Sequence, residues 1–261
     1  MDLGLSGAKV LVTGATEGIG RSISEIFASE GCRIVIVART RARLDELADR
    51  LMERGAPEVT IEARDVAAPG TAEALASAHP DLDVLVNNAG AIPGGAIDGI
   101  TLDQWRQGWD LKVFGYIAMA RAFFPRMTGR RRGVMINVIG ASATGLDSRY
   151  IAGSTGNAAL EALTHSLGSA GPDHGVRVVG VSPGMVLTSR LEGMLRNRAR
   201  ERFGDESRWA ELGSVAAFGR PAQVEEIAAS VVFLASPRSS YTSGAVLTID
   251  GGFSRRHNWW G

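Results

Sequence analysis

The chain has 261 residues, 45% of them hydrophobic, with 28 Lys+Arg set against 28 Asp+Glu. That length and apolar content suffice for a sizeable core, and one α/β domain spanning residues 1–261 is the simplest division. A formal charge of zero supplies no field for nucleic acid or an anionic membrane, a single cysteine excludes an intrachain disulfide, and no apolar stretch approaches the ~18 residues of a membrane span.

In chain order, Val10-Leu11-Val12 reads as a first short strand and Ile19 to Ala28 as the helix after a glycine-rich turn. Cys32 follows, beside the β-branched run Ile34 to Val37, and is expected to be a buried structural thiol. Arg41 to Arg54 carries Leu44, Leu47, Ala48 and Leu51 at helical spacing. Val59 to Ile61 and Val84 to Val86 are the third and fourth strands, the latter ending in Asn87-Asn88-Ala89-Gly90. One or two helices occupy Leu102 to Pro125, and the basic run Arg130-Arg131-Arg132 reads as a solvated loop. Strand Val134 to Val138, helix Ala158 to Leu167, strand Val176 to Val181, helix Val224 to Ala235 and strand Ala245 to Ile249 complete the alternation. Continuous apolar strands separated by helices predict a Rossmann-type, doubly wound parallel sheet with helices on both faces. Residues 185–219 depart from this rhythm and predict a lid or small helical insertion. Met1-Asp2-Leu3-Gly4 has neither a basic nor an apolar leader region, so the expected location is cytoplasmic.

The first strand runs into Thr13-Gly14-Ala15-Thr16-Glu17-Gly18-Ile19-Gly20. Glycines between strand one and helix one let backbone approach a pyrophosphate, and the helix start offers free N–H groups and a positive dipole end. The second strand ends Val37-Ala38-Arg39. A carboxylate there would favour NAD(H), whereas Arg39, with Arg41 nearby, suits a 2′-phosphate. NADP(H) is therefore the expected cofactor over NAD(H). Asp65, with Val66 after it, is open to two readings, an adenine contact or a turn residue. The four histidines have no metal-site spacing.

Gly14-xxx-Gly18-Ile19-Gly20, Asn87-Asn88-Ala89-Gly90, Ser182-Pro183-Gly184 with Thr188, and Asp250-Gly251-Gly252 together resemble the short-chain dehydrogenase/reductase family over nearly the whole chain. The resemblance implies about seven strands, a bound nicotinamide dinucleotide, a small-molecule substrate and a homo-dimer or homo-tetramer. It places Gly14, Thr16, Glu17, Gly18, Ile19, Asn88, Ala89, Gly90, Pro183, Gly184, Val186 and Thr188 against the cofactor.

The same resemblance makes the catalytic positions unusual. Asn157-Ala158-Ala159-Leu160 aligns with the family's Lys-Ala-Ala-Leu, which puts Asn157 at the lysine position, Gly153 at the tyrosine position and Gly140 at the serine position. Lys112-Val113-Phe114-Gly115 puts Lys112 where the family has asparagine. Asn157 can still bind ribose hydroxyls. Two nearby residues could supply the lost groups: Ser142, two residues beyond Gly140 in extended chain, and Tyr150, three residues before Gly153 on one helical face. Lys112 would then be the assisting cation, or else a surface lysine. The expected function is an NADP(H)-dependent carbonyl/alcohol oxidoreductase with a rearranged Ser142–Tyr150–Lys112 relay. The alternatives are a non-catalytic NADP(H)-binding sensor or partner subunit, and lyase or isomerase chemistry. Trp105, Trp109 and Phe114 are either substrate contacts or core. The aromatic tail Arg255 to Trp260 is a candidate for docking on a neighbouring subunit or on its own pocket.

Overall fold

A computed structural model describes residues 1–256; the aromatic part of the tail, 257–260, lies outside the described residues. Seven parallel strands form one sheet: β1 (Lys9–Thr13), β2 (Arg33–Ala38), β3 (Val59–Ala63), β4 (Val84–Asn87), β5 (Gly133–Val138), β6 (Val176–Pro183) and β7 (Val246–Ile249). Their order across the sheet is β3-β2-β1-β4-β5-β6-β7. Direction of growth reverses between β1 and β4, which pair in register from Val10↔Val84 to Val12↔Val86. Such a switch point leaves a crevice outside the carboxyl ends of the strands.

Alternation along each strand divides the core into two layers. Val10, Val12, Ile34, Ile36, Val84 and Val86 meet α1 (Gly18–Ser29), α2 (Arg41–Glu53) and α9 (Val224–Ala235) through Ile23, Phe27, Leu44, Leu51, Ile227 and Val231. Leu11, Val35, Val37, Leu85 and Met135 meet the other layer, α3 (Thr71–Ala78) and α5 (Gly115–Arg130), through Leu75, Met119, Phe123 and Met127. Cys32 is buried, its thiol bonded to the Leu5 carbonyl at 3.3 Å and its pKa pushed up to about 12 by burial. Arg177 on β6 donates to the carbonyls of Leu234, Ala235 and Ser236 at the end of α9 and of Thr242 beyond it.

Some elements differ from the sequence reading. Helix α3 is short and alanine-rich and was not expected. The stretch from Leu102 divides into α4 (Leu102–Trp109), a π-helical turn (Asp110–Phe114) and α5, which continues through Pro125 to Arg130. Helix α6 (Ile151–Ala170) starts well before Ala158, through Gly153, Ser154 and Gly156, residues of low intrinsic helix preference. Those glycines are packing positions: a Cβ on Gly156 would press on Val113 and Trp109 at 3.0 and 3.1 Å. Residues 185–219 form α7 (Ser189–Phe203), α8 (Trp209–Gly213) and short 3-10 turns. Among the described residues, no helix is long and apolar enough to cross a membrane.

Candidate active site

A cleft of about 1280 Å³ opens at the carboxyl ends of the strands, over the β1/β4 switch point. The residues expected to hold the cofactor line it: Gly14, Thr16, Glu17, Gly18 and Ile19 on the first turn, Arg39 after β2, Asp65 and Val66 after β3, Asn88 to Gly90 after β4, and Pro183, Gly184, Val186 and Thr188 after β6. Lys112, Ser142, Tyr150 and Asn157 line it too.

At the first turn the chain needs glycine for two separate reasons. Gly14 and Gly18 sit at φ +63° and +51°, a region that costs other residues energy. A Cβ on Gly20 would instead overlap the Gly14 carbonyl and the Asn88 amide. Thr13 and Asn88 lock the two sides of the switch point together. The Thr13 hydroxyl accepts from the Asn88 and Ala89 N–H groups at 2.9 and 3.1 Å, and Asn88 Nδ2 donates to the Thr13 and Gly14 carbonyls at 3.0 and 3.2 Å. Helix α1 begins with no side-chain cap and no acidic residue in its first turn. Its end is therefore open to an anion.

The carboxylates of the cleft are already engaged. Glu17 pairs with Arg43, Asp147 with Arg149 at 3.2 Å, and Glu226 with Arg220 at 2.8 Å. Asp250 accepts from the Gly252 and Ser254 N–H groups at 2.8 and 2.7 Å, which hold its pKa below the usual range although burial raises it. Asp65 Oδ1 accepts from the Ala67 N–H at 3.0 Å, making a turn. Arg41 is drawn to Asp45 at 2.8 Å, and Arg64 to Glu62 at 2.8 Å. Arg39, Lys112 and Arg190 line the same cleft with no carboxylate partner among the described residues.

At Gly153 and Gly140 the absence of a side chain leaves room for a neighbouring one. A Cβ on Gly153 would overlap the ring of Tyr150, so that ring lies over the place where a side chain at 153 would start. Tyr150 immediately precedes α6, and backbone bonds on either side tie it to the loop after β4: the Gly95 N–H donates to the Arg149 carbonyl at 2.8 Å and the Ile151 N–H to the Gly95 carbonyl at 3.3 Å. Gly140 is at φ +154°, and a Cβ there would come within 2.7 Å of Asn157 Nδ2. The chain then turns into a 3-10 segment at Ala141–Ala143, not the extended run expected, yet Ser142 faces the same place: Asn157 Nδ2 donates to Ser142 Oγ at 2.8 Å. Asn157 is 2% exposed and its Oδ1 has no partner among the described residues.

Lys112 is carried inward on the π-helical turn. Its stem lies against Gly90, where a Cβ would meet Lys112 Cδ at 2.8 Å, and its ammonium donates to the Ile139 carbonyl at 2.5 Å. Burial first, and the charge of Arg190 second, bring its pKa down to about 8. Burial raises the Tyr150 phenol, and Arg190 acts in the opposite direction. Among the described residues no hydrogen bond joins Tyr150 to Ser142 or to Lys112. Arg190 carried no sequence signal, since an arginine at the start of a charged helix is ordinary. Its Nη2 reaches the Ile92 carbonyl at 3.3 Å, across the cleft from α7.

Trp105, Trp109 and Phe114 do not line the cleft. Trp109 Nε1 donates to the Ala152 carbonyl at 2.9 Å, and Trp105 and Trp109 pack with Ile92, Ile100 and Ala152 behind Tyr150. The two tryptophans back the site, whereas Phe114 is exposed and is neither core nor cleft lining. At the opposite rim stands Phe218, 87% exposed at φ +57°.

Comparison with known proteins gives consistent matches. A family model described as Enoyl-(Acyl carrier protein) reductase matches residues 14–254. The galactitol 2-dehydrogenase (L-tagatose-forming) of Cereibacter sphaeroides is 34% identical over 254 residues, 96% of each chain. The L-xylulose reductase of Bos taurus is 32% identical, over 97% of this chain and 99% of that one. The L-sorbose reductase of Gluconobacter frateurii, solved with NADPH and L-sorbose, superposes with a TM-score of 0.92 at 31% identity, covering 98% of this chain and 100% of that one.

Proposed function

The chain belongs to the short-chain dehydrogenase/reductase family of oxidoreductases, and from that premise we propose that it is an NADP(H)-dependent enzyme reducing a sugar-like ketone, or oxidising the matching alcohol, through a rearranged proton relay.

The residues fit a dinucleotide. The glycine turn and the uncapped start of α1 would take the pyrophosphate, the unpartnered Arg39 a 2′-phosphate, and the orphaned Asn157 Oδ1 a ribose hydroxyl. NADPH named in the sorbose reductase complex supports the same choice. When bound, the nicotinamide supplies or accepts a hydride at the substrate carbon.

The chain must then supply a proton and stabilise negative charge on the substrate oxygen. Tyr150 donates that proton. A phenol raised by burial keeps its proton throughout the neutral range. Ser142, held by Asn157, hydrogen-bonds the same oxygen. Lys112 contributes the positive charge, being mostly protonated below its pKa of about 8. Residues 185–219 serve as the lid over these groups.

The observation that carries this reading is the Tyr150 ring lying over Gly153, since a phenol from the residue just before α6 then occupies the space over position 153. It is tested by following NADPH absorbance with L-sorbose, L-xylulose and a wider ketone and aldehyde panel. Native protein should oxidise NADPH with at least one ketose. Tyr150→Phe and Gly153→Ala should each lower kcat by 100-fold or more, with NADPH affinity unchanged. Full turnover by Tyr150→Phe would remove Tyr150 from the mechanism. Tight NADPH binding with no oxidation across the panel would instead make this a nucleotide-binding sensor.

A further inference from the structure

The charges of the cleft do not balance, and the imbalance is localised. Its carboxylates are engaged by arginines or backbone N–H groups, and Arg64 and Arg220 have carboxylate partners. Three cations are left over. Arg39, after β2, is accounted for by the 2′-phosphate. Lys112 and Arg190 stand at the other end, with Tyr150 and Ser142. A neutral ketose would leave both without a counter-ion.

We propose that Arg190, backed by Lys112, forms an anion subsite beside the reacting carbonyl, and that the substrate is a keto acid whose carboxylate it binds; this rests on the oxidoreductase reading above. Arg190 is held by one contact only, the Ile92 carbonyl at 3.3 Å, and the rest of its donor fork has no protein partner among the described residues. A planar guanidinium with its remaining N–H groups free matches a carboxylate in bidentate fashion. It starts from the first turn of α7 and reaches across the cleft to the loop after β4, which orients the guanidinium in the cleft wall. The mutual effect of the two cations supports the assignment. Arg190 makes the Lys112 ammonium harder to keep, so the site as it stands is electrostatically unfavourable. An anion between or beside them relieves that repulsion. Sugar-like chemistry is compatible, because oxidation of a ketose's far terminal carbon yields a keto acid of the same skeleton.

The test uses two matched pairs: L-sorbose with 5-keto-D-gluconate, which differ by a terminal CH2OH against a carboxylate, and methyl acetoacetate with acetoacetate. Calorimetry on protein saturated with NADP+ measures each Kd, for native protein, Arg190→Met and Arg190→Lys. In at least one pair the acid should bind tenfold or more tighter than its neutral partner. Arg190→Met should bring that ratio to about one, and Arg190→Lys should keep part of it. Three results overturn the subsite: neither acid preferred, the preference surviving in Arg190→Met, or Arg190→Met weakening NADP+ itself with the acid-to-neutral ratio unchanged. Turnover is read separately. Acid-selective binding without NADPH oxidation would sink the oxidoreductase reading and leave the subsite; reduction of neutral and acid alike would do the reverse.

Discussion

Lys112 is a buried cation in the wall of the cleft. It reaches inward past Gly90 and ends on a backbone carbonyl, with no carboxylate partner among the described residues. Its proton affinity is lower in the folded protein than in the unfolded chain, about 8 against 10.5. Between those values the unfolded chain holds a proton that the folded one has shed, so stability rises with pH across that window. Lys112→Met should therefore be more stable than native protein at pH 7, with the gain shrinking towards pH 10 in urea titrations. If the ammonium assists reduction, native kcat/KM should fall above pH about 8, and Lys112→Met should be slow and flat across that range. The family resemblance is what drew attention to Lys112 and Asn157 in the sequence. What spacing could not show is contact: that Gly140 leaves room for the Asn157 amide, or that Tyr150 fills the room over Gly153. Arg190 was invisible for a related reason, since what sets it apart is which partners it lacks among the described residues.

Strands were the most legible elements because β-branched apolar runs bounded by glycine or polar turns have few other readings. The helices were less so. Helix α3 offers only eight residues, too few for a clear period, and α6 opens with residues that disfavour helix by themselves. Tertiary contact carries them: Trp109 bonds the Ala152 carbonyl, and Gly156 admits Val113 to close approach. At the other side of the sheet, Arg177 performs a task usually left to a C-terminal glycine, satisfying carbonyls at the end of α9 from a neighbouring strand. Removing that guanidinium strands buried acceptors. Arg177→Met should cost about 2–4 kcal/mol in urea unfolding. Arg177→Lys should recover only part, because an ammonium cannot span four carbonyls.

Across the whole molecule, the reversal of strand order fixes where the cleft opens, and loops from both halves of the sheet meet there. Binding a ligand in that crevice should tie the halves together. At NADPH concentrations ~100-fold above Kd the folded state should gain about 2.7 kcal/mol. A thermal shift should be visible with NADPH, smaller with NADH, and equalised between the two by Arg39→Ala. The solitary thiol at the start of β2 offers another way to watch the same event. Cys32 is sealed inside the nucleotide-binding half and its proton is held to about pH 12, so an alkylating reagent reaches it only when that half opens. A single mass increment would then time the opening of β2, turning the one sulfhydryl in the chain into an internal clock that needs no engineered label.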